Sequence, residues 1–331
     1  MNIFELTENL IKLKSPTDSE ADIRNFLREY LQNIGLKVRL QKVTNGRHNI
    51  YAASGNPLIT LSTHMDTVSP YLPYSADEEY IFGRGACDAK GIMAAQIKAA
   101  EELLKEGNQN FGLLFVVGEE GYSDGARTAN MVTNSSQYLI NGEPTENKLA
   151  VGSKGSLRVK LMSEGISGHS AYPECGESAI EKLLDVLQDL RYYDYPQDKI
   201  LGMTTLNIGV LKGGTQANVI PDYAEAILMY RLVSRTPDVK NLVHQLISGR
   251  CQAEILYECE PQKFETLDGF ETMVASYTTD IPNLTNWGQP LLIGPGNIFD
   301  AHTLREKIKK TELKDAVGIY KNLVLRLHKM C

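Results

Sequence analysis

The sequence predicts an α/β protein interrupted by a smaller domain of different pattern, and three observations carry that prediction. Short apolar strands alternate with amphipathic helices up to about residue 150, the signature of a layered α/β architecture. Between about residues 155 and 262 the order becomes β-α-β-β-α-β, the split βαβ or ferredoxin-like unit. The chain then returns through "TNWGQPLLIGPGNIFDAHT" to one more helix. The expected boundaries are 1–154 with 263–331 for the larger domain and 155–262 for the insert, and 331 residues suffice to bury two cores.

Each element has a local reason. "MNIFELTENLIKLKSPTDSE" is an amphipathic helix mixed with charges and lacks the apolar run of a leader. "SEADIRNFLREYLQNIG" sets Ile23, Phe26, Leu27, Tyr30, Leu31 and Ile34 at helical spacing, with Ser19 as N-cap and Gly35 as C-cap. "LKVRLQKV" reads as a half-buried strand and "LITLST" as a fully buried one. A helix is expected from about Lys90 to Lys105, with Ile92, Ala95, Ala99 and Leu103 on one face. "GLLFVV" and "QYLI" are further short buried strands. In the insert "SLRVKLM" alternates, "SAIEKLLDVLQDL" is helical, and "MTTLNIGVL" and "YAEAILMYRLV" are strands. "PDVKNLVHQLISG" is a helix opening on Pro237, and "QAEILYE" closes the unit. The last helix carries Leu313, Val317, Tyr320, Val324 and Leu327.

Composition excludes some functions. A formal net charge of −7 argues against nucleic acid and anionic membrane as partners. No apolar run is long enough to cross a bilayer. Cys87, Cys175, Cys251, Cys259 and Cys331 are odd in number and show no C-x-x-C spacing. That pattern predicts free thiols in a reducing compartment, hence a cytoplasmic protein.

The chemistry sits where strands end. Leu58-Ile59-Thr60-Leu61 runs straight into His64 and Asp66, where one imidazole nitrogen can bind a metal while a carboxylate fixes the other. "GRGACDAKG", "VVGEEG", "INGEPT" and "GPGNIFDAHT" repeat the pattern, each placing a carboxylate or imidazole at or just past a strand end. His64, Asp88, Glu120, Glu143 and His302 make five N/O donors suited to zinc, cobalt or manganese. Two divalent ions carry four positive charges, which three carboxylates and one hydroxide would balance. Glu119 has no ligand duty, and a two-metal hydrolase needs a base to take the proton of the attacking water. Other features read as structural. Gly83-x-Gly85 lacks the full dinucleotide fingerprint. Cys87 is packing, His48 in "GRHNIYA" belongs to a turn, and His244 and His328 lie within helices.

With these motifs in this order, the chain resembles the dinuclear zinc amidohydrolases and carboxypeptidases. That family includes acetylornithine deacetylase, succinyl-diaminopimelate desuccinylase, aminoacylase and bacterial glutamate carboxypeptidase. The resemblance covers nearly the full length. It implies a zinc-peptidase-like catalytic domain with a mixed sheet flanked by helices, and a ferredoxin-like lid that forms a homodimer. It implies that Asp88 bridges two ions, zinc first with cobalt or manganese as alternatives. His64 and Glu143 would hold one ion; Glu120 and His302 would hold the other. Glu119 matches the general base and Asp66 the residue orienting His64, and a cis peptide is expected at Asp88-Ala89. In "SGHSAYP", His169 would reach the partner subunit's metals and stabilise the oxyanion. Asn218 and Arg231 would grasp the substrate, Arg231 by a bidentate grip on a carboxylate. Tyr172 and the Gly294–Gly296 backbone would add to that grip. The implied reaction is hydrolysis of an N-acyl amino acid such as N-acetylornithine. A dipeptidase or carboxypeptidase of the same fold is the alternative, and a non-catalytic metal-binding relative a third. "SPYLPYSADEEY" departs from the tryptophan-containing stretch usual in the family, and the short chain implies trimmed pocket loops.

Overall fold

In a computed structural model, which describes residues 1–44 and 46–331, the chain divides into two units. The first comprises Met1–Val151, Phe264–Met273 and Thr279–Cys331, and the second Gly152–Lys263 with Val274–Thr278. Among the described residues no helix is long and apolar enough to cross a membrane.

The first unit opens with helix α1 (Ile3–Lys12), started by a capping box. The Asn2 side chain accepts from the N–H groups of Phe4 and Glu5, and the Glu5 carboxylate accepts from the N–H of Asn2. Helix α2 (Ala21–Asn33) buries Ile23, Leu27 and Leu31 at i, i+4 spacing. It starts one position later than expected. Glu20 and not Ser19 holds the cap position and makes no capping bond, because its carboxylate turns inward to pair with Arg47 at 2.9 Å. Strands β1 (Lys37–Thr44) and β2 (Arg47–Ser54) pair antiparallel. The stretch expected to be a turn around His48 is therefore strand, held there by burial of Arg47, Asn49, Ile50 and Ala52, and His48 stands opposite Lys42. Then follow β3 (Ile59–His64), α3 (Lys90–Lys105), β4 (Phe111–Val116), α4 (Asp124–Ala129) and β5 (Tyr138–Asn141).

The second unit holds β6 (Gly155–Glu164), α5 (Ala179–Tyr192), β7 (Thr205–Gly213), β8 (Tyr223–Leu232), α6 (Thr236–Ile247) and β9 (Gln252–Cys259). The order is the expected β-α-β-β-α-β. The sheet runs β7-β8-β6-β9, all antiparallel. Period-two alternation sends Leu157, Val159 and Leu161 of β6 and Ala224, Ala226, Leu228 and Tyr230 of β8 into one core. That core is closed by Leu183, Val186 and Leu190 of α5 and by Val239, Val243 and Ile247 of α6.

Back in the first unit, β10 (Gln289–Leu292) and α7 (Lys310–His328) complete the mixed sheet and its cover. The strand order is β1-β2-β4-β3-β5-β10, with β3, β4, β5 and β10 parallel. Helices flank both faces, which is why β4 is apolar throughout. Leu113 and Phe115 join the larger core with α1, α2, α3 and α7. Leu114 and Val116 join a smaller one with Ala126 and Ala129 of α4 and with Trp287.

Candidate metal centre

Strand register brings the donors together. In the parallel ladders His64 pairs with Val116 and Ser62 with Asn141, so β3, β4 and β5 finish along one edge. The residues just past those ends are His64 itself, the Glu119-Glu120 pair and Glu143. Asp88 arrives on the loop that enters α3, and its bond to Ala89 is cis, as the resemblance implied. His302 lies beyond β10 in a left-handed conformation, at φ 62°.

The ligand atoms form two groups sharing one member: His64, Asp88 and Glu143, and then Asp88, Glu120 and His302. Within each group they all lie within 4.8 Å of one another. Asp88 faces both ways. Its Oδ1 is 2.9 Å from His64 Nε2 and its Oδ2 is 3.3 Å from His302 Nε2. His302 Nε2 lies 2.9 Å from Glu120 Oε1.

These groups perturb one another strongly. Burial pushes the Glu119 carboxyl far above the usual range, and the charge of Glu143 adds to it. Burial and the charge of Asp88 raise both Glu143 and Glu120. Burial pulls His64 down, but Asp66 and Asp88 outweigh it and the net direction is upward. Asp88 and Glu120 push His302 up to about 10. Asp88 moves down, because contact with the two imidazoles outweighs its burial.

The residues present fit two divalent cations. Glu143 Oε1 is buried and accepts no hydrogen bond from a described residue. An orphaned carboxylate oxygen inside a cluster of like charges is costly unless a cation answers it. The set is oxygen and nitrogen only, the chemistry of zinc, cobalt or manganese sites.

Asp66 does more than the sequence suggested. His64 Nδ1 lies 3.0 Å from the backbone carbonyl of Asp66 and 3.5 Å from its carboxylate. The carboxylate also accepts from the N–H groups of Glu119 (3.1 Å) and Glu120 (3.2 Å) and from the Thr17 hydroxyl (2.8 Å). It therefore fixes the backbone that carries the expected base. Gly118, at φ 75°, begins that turn, where a Cβ would lie 2.2 Å from Asp124 Oδ1 and 2.6 Å from Arg47 Nη2.

Two buried carboxyls escaped the sequence reading. Asp280 is raised to about 7 by burial, with His64 pulling the other way, and its Oδ1 has no partner among the described residues. Glu306 is bonded to the loop that carries Asp88. Neither follows an apolar strand directly, so the pattern that singled out the candidate ligands passes over both.

The remaining candidates divide between the units. Gly296, in the first, donates its N–H to Glu312 (3.1 Å), and its carbonyl accepts from Glu146 (2.8 Å). The Gly294 N–H is spent on Thr145 (3.0 Å), so neither N–H is left for the substrate grip expected of that backbone. In the second unit a two-stranded ribbon pairs His169 with Val219, and Ser170 N–H donates to the Asn218 carbonyl. His169 Nδ1 accepts from the N–H of Ala171 at 3.1 Å, which leaves Nε2 to carry a proton. The Tyr172 ring stands edge-on to His169 at 6.1 Å, and both residues are exposed. Arg231 projects from β8 beside Tyr257 and Arg158, and burial lowers its pKa.

A family model described as a peptidase dimerisation domain, M20_dimer, matches residues 151–254. A peptidase M20 domain-containing protein of Schizosaccharomyces pombe is 38% identical, over 98% of this chain and 84% of its own. A probable carboxypeptidase of Aspergillus clavatus is 34% identical, over 97% of this chain and 88% of its own. Among solved structures, a tripeptidase from Staphylococcus aureus superposes with a TM-score of 0.84 at 18% identity, covering 97% of this chain and 98% of that one.

Proposed function

The chain belongs to the M20 peptidase family, and from that premise we propose that it is a metal-dependent hydrolase of short peptides with a free terminal carboxylate. The observation that carries the proposal is Asp88 shared between two donor groups, with half-buried Glu119 left out of both. His64, Asp88 and Glu143 would hold one divalent ion, and Asp88, Glu120 and His302 the other. Zinc is the first choice, with cobalt and manganese as alternatives. When bound, such ions polarise a carbonyl and acidify water.

The chain's own residues do the rest. Glu119, whose carboxyl is raised by its burial, takes the proton of the attacking water and later gives it to the leaving amine. Asp66 keeps that base in place through the Glu119 N–H. His169 offers an Nε2 proton to the developing oxyanion. Arg231 pairs with the substrate carboxylate, helped by Asn218 and Tyr172. An intact base argues against a purely metal-binding role. The matched dimerisation domain supports a homodimer formed through the insert.

The names of relatives favour peptides. N-acyl amino acids, which present the same amide beside the same carboxylate, are the second substrate class. The test is a panel of dipeptides, tripeptides and N-acetyl amino acids given to protein loaded with zinc, cobalt or manganese. Cleavage of peptides is the expected result, cleavage of N-acetyl amino acids alone would move the substrate class, and cleavage of nothing would overturn the proposal. For the dimer, inactive Glu119→Gln subunits mixed with inactive His169→Ala subunits should regain activity through one intact composite site. Subunit exchange without recovery would deny His169 a role in its partner.

A further inference from the structure

The loop that delivers Asp88 is folded around a carboxylate contributed from more than two hundred residues away. Glu306 is 1% exposed. Its Oε1 accepts three backbone N–H groups, from Gly85 at 2.9 Å, Asp88 at 3.0 Å and Cys87 at 3.1 Å. Its Oε2 accepts from Arg84 Nη1 at 2.7 Å, and Arg84 is itself tied by Nε–H to the Pro70 carbonyl at 3.1 Å. Three backbone donors from four consecutive residues meet on one oxygen only if the chain curls around it. Such a nest favours an anion at its centre.

Glu306 is also held from its own side. The Gly83 N–H donates to the Glu306 carbonyl at 3.1 Å, and Lys307–Lys309 pairs antiparallel with Tyr80–Phe82. It lies four residues after His302. One short segment therefore supplies a member of the second donor group and clasps the backbone of the residue that belongs to both.

We propose that Glu306 is the positioning residue for Asp88: an anionic template that sets the curl of residues 85–88 and so aims the two Asp88 oxygens at two different ions. The inference rests on the proposed two-metal role of Asp88. A carboxylate that must serve two ions tolerates little rotation, and the Glu306 cradle acts on the Asp88 N–H itself, next to the atoms that set that rotation.

The test uses the full-length protein, stripped with chelator and titrated with zinc by equilibrium dialysis, beside steady-state kinetics on a peptide substrate. Glu306→Gln keeps the size and an acceptor oxygen but removes the charge, and it turns an amide donor toward either the N–H groups or Arg84. The expected result is a 10- to 100-fold loss of affinity for at least one of two ions, the usual scale when a residue behind a ligand is lost. At saturating zinc, kcat should fall with KM little changed. A purely structural role would lower the melting temperature and leave zinc affinity as it was; that outcome overturns the proposal. If Glu306→Gln does not fold, Glu306→Asp keeps the charge one methylene short, and an unchanged affinity for both ions there overturns it equally. Asp88→Asn separates the two layers. If that variant still binds two ions, the two-metal reading fails first. If it loses them while the Glu306 variants bind normally, only the present inference fails.

Discussion

At the scale of single residues, the proposal gives adjacent glutamates opposite duties. Glu119 stands outside both donor groups, and Glu120 lies 2.9 Å from His302 within one of them. Glu119→Gln is therefore expected to bind two zinc ions like the parent and to lose at least ~10²-fold in kcat, the low end for a general base. Glu120→Gln should weaken one ion instead. Zinc stoichiometry beside turnover measures both, and equal metal loss in the two variants would reverse the assignment. These two side chains were legible in the sequence because they follow directly on a buried strand, as do His64 and Glu143. Glu306 and Asp280 were not. Their importance comes from which distant backbone and which charges the fold sets beside them, and no local spacing records that.

At the scale of elements, β2 shows what periodicity hides. Arg47 reads as a polar start to a turn, yet its buried guanidinium pairs with Glu20 at 2.9 Å, Asp124 at 2.5 Å and Asp18 at 3.2 Å. That network ties the entry of α2 and the entry of α4 to the second strand. It also packs against Gly118, where the turn carrying Glu119 begins. Arg47→Met is expected to cost about 3–5 kcal/mol, the scale for removing one partner of a buried ion pair, because the Glu20 carboxylate stays behind uncompensated. Denaturant unfolding reads it, and a loss under about 1 kcal/mol would mean that the network contributes little. Long, strongly periodic elements such as α3, β4 and the six elements of the insert were legible from their apolar spacing. The β2 strand was missed because half its buried positions are polar and are satisfied largely by partners far along the chain.

At the scale of the whole molecule, the clustered charges make stability depend on pH and metal together. Glu119 and Glu143 are raised in the folded state. The unfolded chain releases those protons near its ordinary carboxylate pKa of about 4.3 while the folded chain retains them, so the ion-free protein loses stability as pH rises above that value. His64 and His302 are raised as well. Their contribution is complete below about 6.5 and is lost as pH climbs through the folded values. Asp88, which is lowered, acts only at the acid end, where its contribution disappears as pH falls below the usual carboxylate range. The chelated protein should therefore melt at falling temperature from about pH 6 to about pH 9, and zinc should remove most of that fall by displacing the protons. A flat or rising melting curve in chelator would contradict it. The placement of the insert has one more consequence, for a chain being made. A ribosome releases His64, Asp88, Glu120 and Glu143 before the whole of 155–262, and delivers His302 and Glu306 only after it. The first donor group is complete in a half-finished nascent chain; the second, and the clasp on Asp88, wait for the far side of the insert. On the proposed two-metal reading, the second ion can be held only once synthesis has passed His302.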